Sequence, residues 1–189
     1  MRERLLRALI FTHNYAQISE CPNIILRKHT LEYEIDLKLN GFDDLENHLR
    51  NMEYSEIYLL PSEENDVNEP PIDIFNFGIS LMTEEKYWIA HEYFEKLWKF
   101  YNEPTSKFFH SVVLFCVAMV HHQMGRESIA YRIFDNARNE MSKFLDPSLI
   151  SLDFCYPLPH MLIEKIGTFG KDMIAHTGLN LKDPSESFL

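Results

Sequence analysis

One stretch of this chain alternates strictly between apolar and polar residues. Leu31, Tyr33, Ile35, Leu37 and Leu39 are interleaved with Glu32, Glu34, Asp36, Lys38 and Asn40. A period of two places one face of a strand on a core and the other in water, as in an antiparallel sheet. Asn40-Gly41 stops that strand. Ahead of it, Leu5 to Phe11 reads as a buried strand or a short helix, which periodicity does not separate. Asn14 to Pro22 reads as loop, and Asn23 to Arg27 begins an extended segment. Beyond it, Phe42, Leu45, Leu49 and Met52 recur at helical spacing, with Asp43 and Asp44 in the first turn where the macrodipole favours acids. Ile57 to Leu60 closes the unit as a strand. The expectation for residues 1–60 is a small α+β module with a short antiparallel sheet, ordered β-β-β-α-β.

The pattern changes after Leu60. Residues 61–71 combine acids with prolines and lose apolar periodicity, the composition of a linker. From residue 72 to 189 the spacing predicts a bundle of four to five helices. Ile74, Phe75, Gly78, Ile79 and Met82 define the first, ending near Thr83, which can cap the next with Glu84 and Glu85 in its first turn. That second helix runs to about Tyr101, and Pro104 marks its break. The third, about 105–124, has almost no polar face. Its nine-residue apolar run from Val112 to Val120 is too short to span a bilayer, so a buried helix is expected. Gly125 supplies a tight stop. The fourth is amphipathic through Ile129, Ala130, Ile133, Phe134, Ala137, Met141, Phe144 and Leu145, and Asp146-Pro147 ends it. A shorter helix is expected between Pro159 and Ile166, and a loose tail after Gly178. Short connections make neighbouring helices antiparallel. The fold class is therefore mostly α, with the α+β module in front.

Composition and charge narrow the function classes. The chain has 189 residues, 46% hydrophobic and 13% aromatic, enough for a sizeable core. Its net charge of −11 is uneven, with about half of it in the connector near residues 61–73. Nucleic-acid binding needs a basic face to displace phosphate counterions, so it is disfavoured. Arg2, Arg4 and Arg7, or Arg27 with Lys28, read as solvated strand ends. Cys21, Cys116 and Cys155 are few, odd in number and widely spaced, which points away from a disulfide framework and towards a reducing compartment. With no signal peptide and no long apolar run, the expected location is cytoplasmic, with no membrane association.

The chemistry concentrates in the second helix of the bundle. On a helical wheel Tyr87, Trp88, Ala90, Phe94, Leu97, Trp98 and Tyr101 cover one broad face, and only Glu85, Glu92, Lys96 and Lys99 form a polar stripe. The ridge Glu84, Trp88, His91, Glu95, Trp98 carries two carboxylates and an imidazole towards the packing zone, where ionisable groups need partners. Antiparallel register offers His110, Ser111, Arg132, Asp135 and Arg138 as those partners. Buried Trp88 and Trp98 would each need an acceptor for the indole N–H. Cys116 reads as a small core residue, and His121-His122 as complements of a helix dipole. His13, His29, His48, His160 and His176 default to the surface.

Gly78 and Leu81, followed by Ala90-His91-Glu92-x-x-Glu95-x-x-Trp98, an apolar helix, His121 or His122, Gly125, and alanines at 130 and 137, resemble the small helical family catalogued as domain of unknown function 309. The resemblance covers roughly residues 74–168. It implies a compact multihelical bundle and no established reaction.

Three readings of the ridge follow. In the first, His91 and Glu95 belong to a hydrogen-bonded network that pins helix register. In the second, they are catalytic, as acid–base groups or metal ligands of a hydrolase-like enzyme. His91 and Glu95 one turn apart suit a divalent metal, with His122, His110 or Asp135 as third ligand. His110 and His121, about 16 Å apart on one helix, cannot share it. In the third, Glu84, Trp88, Glu92, Trp98, His110, Ser111, Arg132, Asp135 and Arg138 line a binding surface for a protein or small-ligand partner, or for a second copy in a homodimer. The expectation is a binding or interaction module built over a buried polar network, without a required cofactor; the enzyme is the alternative.

Overall fold

Leu6–Thr12, buried continuously from Ala8 to Thr12, forms the first strand (β1), which settles the strand-or-helix choice. The computed structural model describes residues 6–15, 24–50, 52–60 and 69–144. The expected helix at 159–166, the loose tail, Cys21, Cys155, His160, His176 and most of the linker lie outside those residues. The chain divides into two compact units, Met1–Asn68 and Glu69–Leu189.

In the first unit β1 is followed by β2 (Ile25–Lys28), β3 (Tyr33–Leu39), helix α1 (Phe42–Leu49) and β4 (Glu56–Leu60). This is the expected β-β-β-α-β order. The strands make one antiparallel sheet in the order β2-β3-β1-β4, with Ile10 opposite Ile35 and Ile57. Ala8, Ile10, Ile35, Leu37 and Leu39 bury one face with Leu45 of α1 and Met52. Asp43 and Asp44 occupy the first turn of α1, and Asp44 Oδ2 accepts from the Asn40 N–H at 3.0 Å.

The other face departs from expectation. Alternation predicts that Glu34 and Asp36 meet water, yet both are buried, as are Leu9, Phe11, Arg27 and His29. Hairpin register explains how the charges are tolerated. Arg27 lies directly across from Glu34, and Ile25 across from Asp36. The Arg27 guanidinium donates through Nη1 to Glu34 Oε1 and through Nη2 to Asp36 Oδ2 at 2.9 Å. Arg7, diagonal to Asp36 across β1 and β3, adds a bidentate pair at 2.8 and 2.6 Å. His29 Nε2 approaches Glu34 Oε2 at 3.2 Å, and Phe11 meets the imidazole edge-on. Burial pushes the Asp36 carboxyl up, but the hydrogen bonds and charges of Arg7 and Arg27 outweigh it and hold the group below its ordinary value. Arg27 and His29 are therefore network members, not solvated surface groups.

The second unit is a run of consecutive antiparallel helices: α2 (Pro71–Thr83), α3 (Tyr87–Phe100), α4 (Thr105–Gln123) and α5 (Glu127–Met141), closed by a 3-10 turn over Ser142–Phe144. Among the described residues, five helices and a four-stranded sheet thus give a mostly α chain with an α+β module in front. Helix α4 is buried on nearly every side, as its apolar run requires. Thr83 does not cap α3. It ends α2, its hydroxyl donating to the Ile79 carbonyl at 3.0 Å, and Glu84 and Glu85 lie in the turn. No helix among the described residues is long and apolar enough to cross a membrane.

The α2–α3 and α4–α5 hairpins share one geometry forty residues apart. Glu85 and Gly125 both take positive φ, 61° and 69°. Lys86 N–H donates to Leu81 O at 2.9 Å, and Arg126 N–H to His121 O at 2.9 Å. Beyond the turn, Phe75 meets Phe94 with ring centroids 6.0 Å apart, and Phe115 meets Phe134 at 6.2 Å, both edge-on. Small residues sit at equivalent places on the first helix of each hairpin, Gly78 and Ala118. A Cβ at Gly78 would come within 2.9 Å of the Phe94 ring. The described residues of the helical unit form a tandem pair of like-folded hairpins.

Candidate functional site

Helix α3 presents three kinds of surface. Tyr87, Ile89, Ala90, Phe94 and Leu97 are buried. Lys96, Lys99 and Phe100 are exposed. Between them runs a boundary ridge with Trp88, His91, Glu95 and Trp98. His91 is 7% exposed, whereas Trp88, Glu95 and Trp98 are half-buried.

The imidazole of His91 is held by its own helix. Nδ1 bonds the Trp88 carbonyl oxygen. A carbonyl only accepts, so Nδ1 carries the hydrogen and the neutral ring keeps its lone pair on Nε2. The Trp88 and His91 ring centroids are 4.5 Å apart. Nε2 stands 3.6 Å from Glu92 Oε1, too long for a hydrogen bond. One end of α3 thus sets an oriented imidazole lone pair beside a carboxylate and an indole.

The other end repeats the aromatic half of that arrangement. Trp98 and His110 of α4 lie with ring centroids 4.5 Å apart. The Ser106 hydroxyl donates to the Trp98 carbonyl at 3.0 Å and ties α4 to the end of α3. These contacts, with Tyr87 against Phe115 and Tyr101 stacked on Phe109, give the antiparallel α3–α4 register.

The other residues expected at the site fall into separate pairs. Glu95 faces Lys99 at 3.4 Å rather than His91. No hydrogen bond or ion pair joins His91 to Glu95 among the described residues. Glu84 accepts from Lys86 Nζ at 2.8 Å in the α2–α3 turn, off the ridge. Ser111 is buried and donates to Phe108 O at 2.6 Å within α4. Asp135 accepts from Arg138 at 2.7 Å on α5, and Arg132 is exposed. His122 meets Glu127 at 2.8 Å across the α4–α5 turn. The network expected from helix register is therefore a series of local pairs, because i, i+3 and i, i+4 partners on the same helix lie closer than those across helices. Among the described residues no group of three or more His, Cys, Asp or Glu is arranged to hold a metal ion.

Deeper in the unit, burial, and after it the nearby Glu85 charge, raises the pKa of Tyr87. Burial likewise pushes the Cys116 thiol up, which keeps it protonated and inert. His121 shifts the other way: burial and then the Arg126 charge disfavour its cation. Gln123 Nε2 donates to Glu85 O at 2.8 Å, linking the two hairpin turns. Sequence reasoning missed two features. One is the Arg27–Glu34–Asp36 network, which the equal distance of Arg27 and Glu34 from the centre of the β2–β3 turn could have signalled. The other is a surface aromatic pair, Phe77 against Tyr93 at 4.8 Å, with Lys96 Nζ 4.5 Å from the Tyr93 ring centroid.

Residues 75–133 match the family model described as Domain of unknown function (DUF309). That is the family the sequence resembles, and the match runs from α2 into α5. No curated protein and no solved structure matches the chain.

Proposed function

We propose that the helical unit is a binding module whose contact surface is the α3 ridge from Trp88 to Trp98. One observation carries this reading. The only two tryptophans of the chain lie on that ridge, both half-buried and each against an imidazole. Partly exposed tryptophans beside oriented polar groups are enriched among the anchors of recognition surfaces. The flanking core of Phe94, Leu97, Phe108 and Phe109 is closely packed and holds the ridge rigid.

Catalysis at His91 and Glu95 draws less support. The carboxylate is turned to Lys99, which leaves the imidazole without an acid–base partner one turn away.

A fragment library titrated against 15N-labelled full chain tests the module reading. The two indole N–H signals report on the ridge alone. Saturable shifts concentrated on the Trp88 and Trp98 indoles are expected. Hits that leave both indoles unmoved and cluster elsewhere would remove the ridge as the contact surface.

A further inference from the structure

Among the described residues, most carboxylates of the helical unit are neutralised locally, and Glu92 is not. Glu69, Glu84, Glu95, Glu103, Asp135 and Glu140 each face a lysine or arginine at 2.7–3.7 Å. Glu127 has His122, and Asp73 sits in the first turn of α2, where the helix dipole favours it. Glu92 has no such cation among the described residues. The ionisable group beside it there is His91, whose imidazole presents Nε2, the lone-pair nitrogen of the neutral ring. Two acceptors therefore stand 3.6 Å apart beside an indole, with no donor between them among the described residues.

We infer that this corner takes a protonated primary amine, presented as a lysine side chain of a partner protein. The inference rests on the reading of the α3 ridge as the contact surface and names the group it receives. An ammonium carries three N–H donors on one nitrogen and can bond Glu92 Oε1 and His91 Nε2 together. Its charge is attracted to the carboxylate, and its methylenes can lie along the ridge. Lysines already on the helix do not fill the place: Lys96 is engaged by Glu69 and the Tyr93 ring, and Lys99 by Glu95. A lysine held by a larger partner suits an open ridge better than a free amine, which binds well only where walls surround it.

The test uses the full chain and three probes: a capped Gly-Gly-Lys-Gly-Gly peptide, the same peptide with its lysine acetylated, and n-butylammonium. The unmodified peptide should move the Trp88 indole signal with a Kd on the order of millimolar. Acetylation, and separately Glu92→Gln, should each weaken it about fivefold, by loss of the charge-assisted bond to Glu92. Glu92 is half-exposed, so E92Q should keep the wild-type thermal midpoint. Equal binding of the acetylated peptide, or unchanged binding by E92Q, overturns the inference. Butylammonium binding as tightly as the peptide overturns the partner-lysine source. Neither peptide shifting the indoles, while fragments still do, rejects the amine and leaves the ridge standing; if fragments fail too, the ridge reading falls with it.

Discussion

The sheet unit and the helical unit handle charge in opposite ways. In the sheet unit Arg27, Glu34 and Asp36 are carried into a buried face and compensated there by a network of short bonds. In the helical unit the interior is largely aromatic, and most acids and bases pair near the surface with neighbours close in sequence. Lys86 is buried, however, and Glu69 reaches Lys96 of α3. Strand geometry accounts for the contrast. A hairpin brings opposite charges face to face on adjacent strands, so a pair can be buried without leaving its element. A helix offers only i, i+3 and i, i+4 neighbours, which stay at the surface. A buried charge is thus structural in the first unit, whereas in the second the charge without a cation is the one the proposed contact would use.

That contrast can be broken at its strongest point first. Arg27→Met removes the shared cation and leaves two carboxylates buried, at a cost of about 3–5 kcal/mol. Urea denaturation followed by amide exchange in β1 and β3 measures it. Acid provides a gentler route. Asp36 titrates lower in the fold than the 3.8 of the free group, so its contribution is present above about pH 4 and disappears as pH falls through the lowered folded value. The urea midpoint of the sheet unit should decline there in the wild type, and Asp36→Asn should be weaker at neutral pH with a flatter acid limb.

In the helical unit the larger effects come from packing rather than charge. Gly78→Ala drives a methyl into the Phe94 ring; overpacking of 1–3 kcal/mol set against about 1 of helix propensity gives a net loss of about 1 kcal/mol. A double-mutant cycle with Phe94→Leu should show that the two losses are not additive. The paired turns provide a comparison of the same size. Glu85→Gly should stabilise by about 1 kcal/mol and Gly125→Ala should destabilise by about as much, because both positions have positive φ. Opposite shifts in thermal midpoint are the check. Smallest of all, Glu92→Gln should change stability by less than about 0.5 kcal/mol.

Much of the fold could be read from the residues. Period-two alternation at Leu31–Asn40 and three-and-four spacing at Ile129–Met141 each impose a single geometry, so β3 and α5 were recoverable. Glu34 and Asp36 were not. Alternation says which residues share a face and is silent on whether that face is covered. Cross-helix pairing of His91 with residues of α4 and α5 was equally out of reach, because a shift of a few ångströms in register exchanges one partner for another. Trp98 found His110, while Glu95 turned to its own helix. The repeat of the hairpins also stayed hidden. Between 84–98 and 124–138 only Ile89/Ile129, Ala90/Ala130 and Phe94/Phe134 are identical, too few to stand out from ordinary apolar periodicity.

That repeat makes the chain its own blank. At the positions equivalent to Trp88, His91, Glu92 and Trp98, the second hairpin has Ser128, Tyr131, Arg132 and Arg138 on a matching backbone. Transplanting those four side chains into α3 would erase the proposed contact chemistry and keep the scaffold, separating the side chains of the ridge from the packing that holds it up.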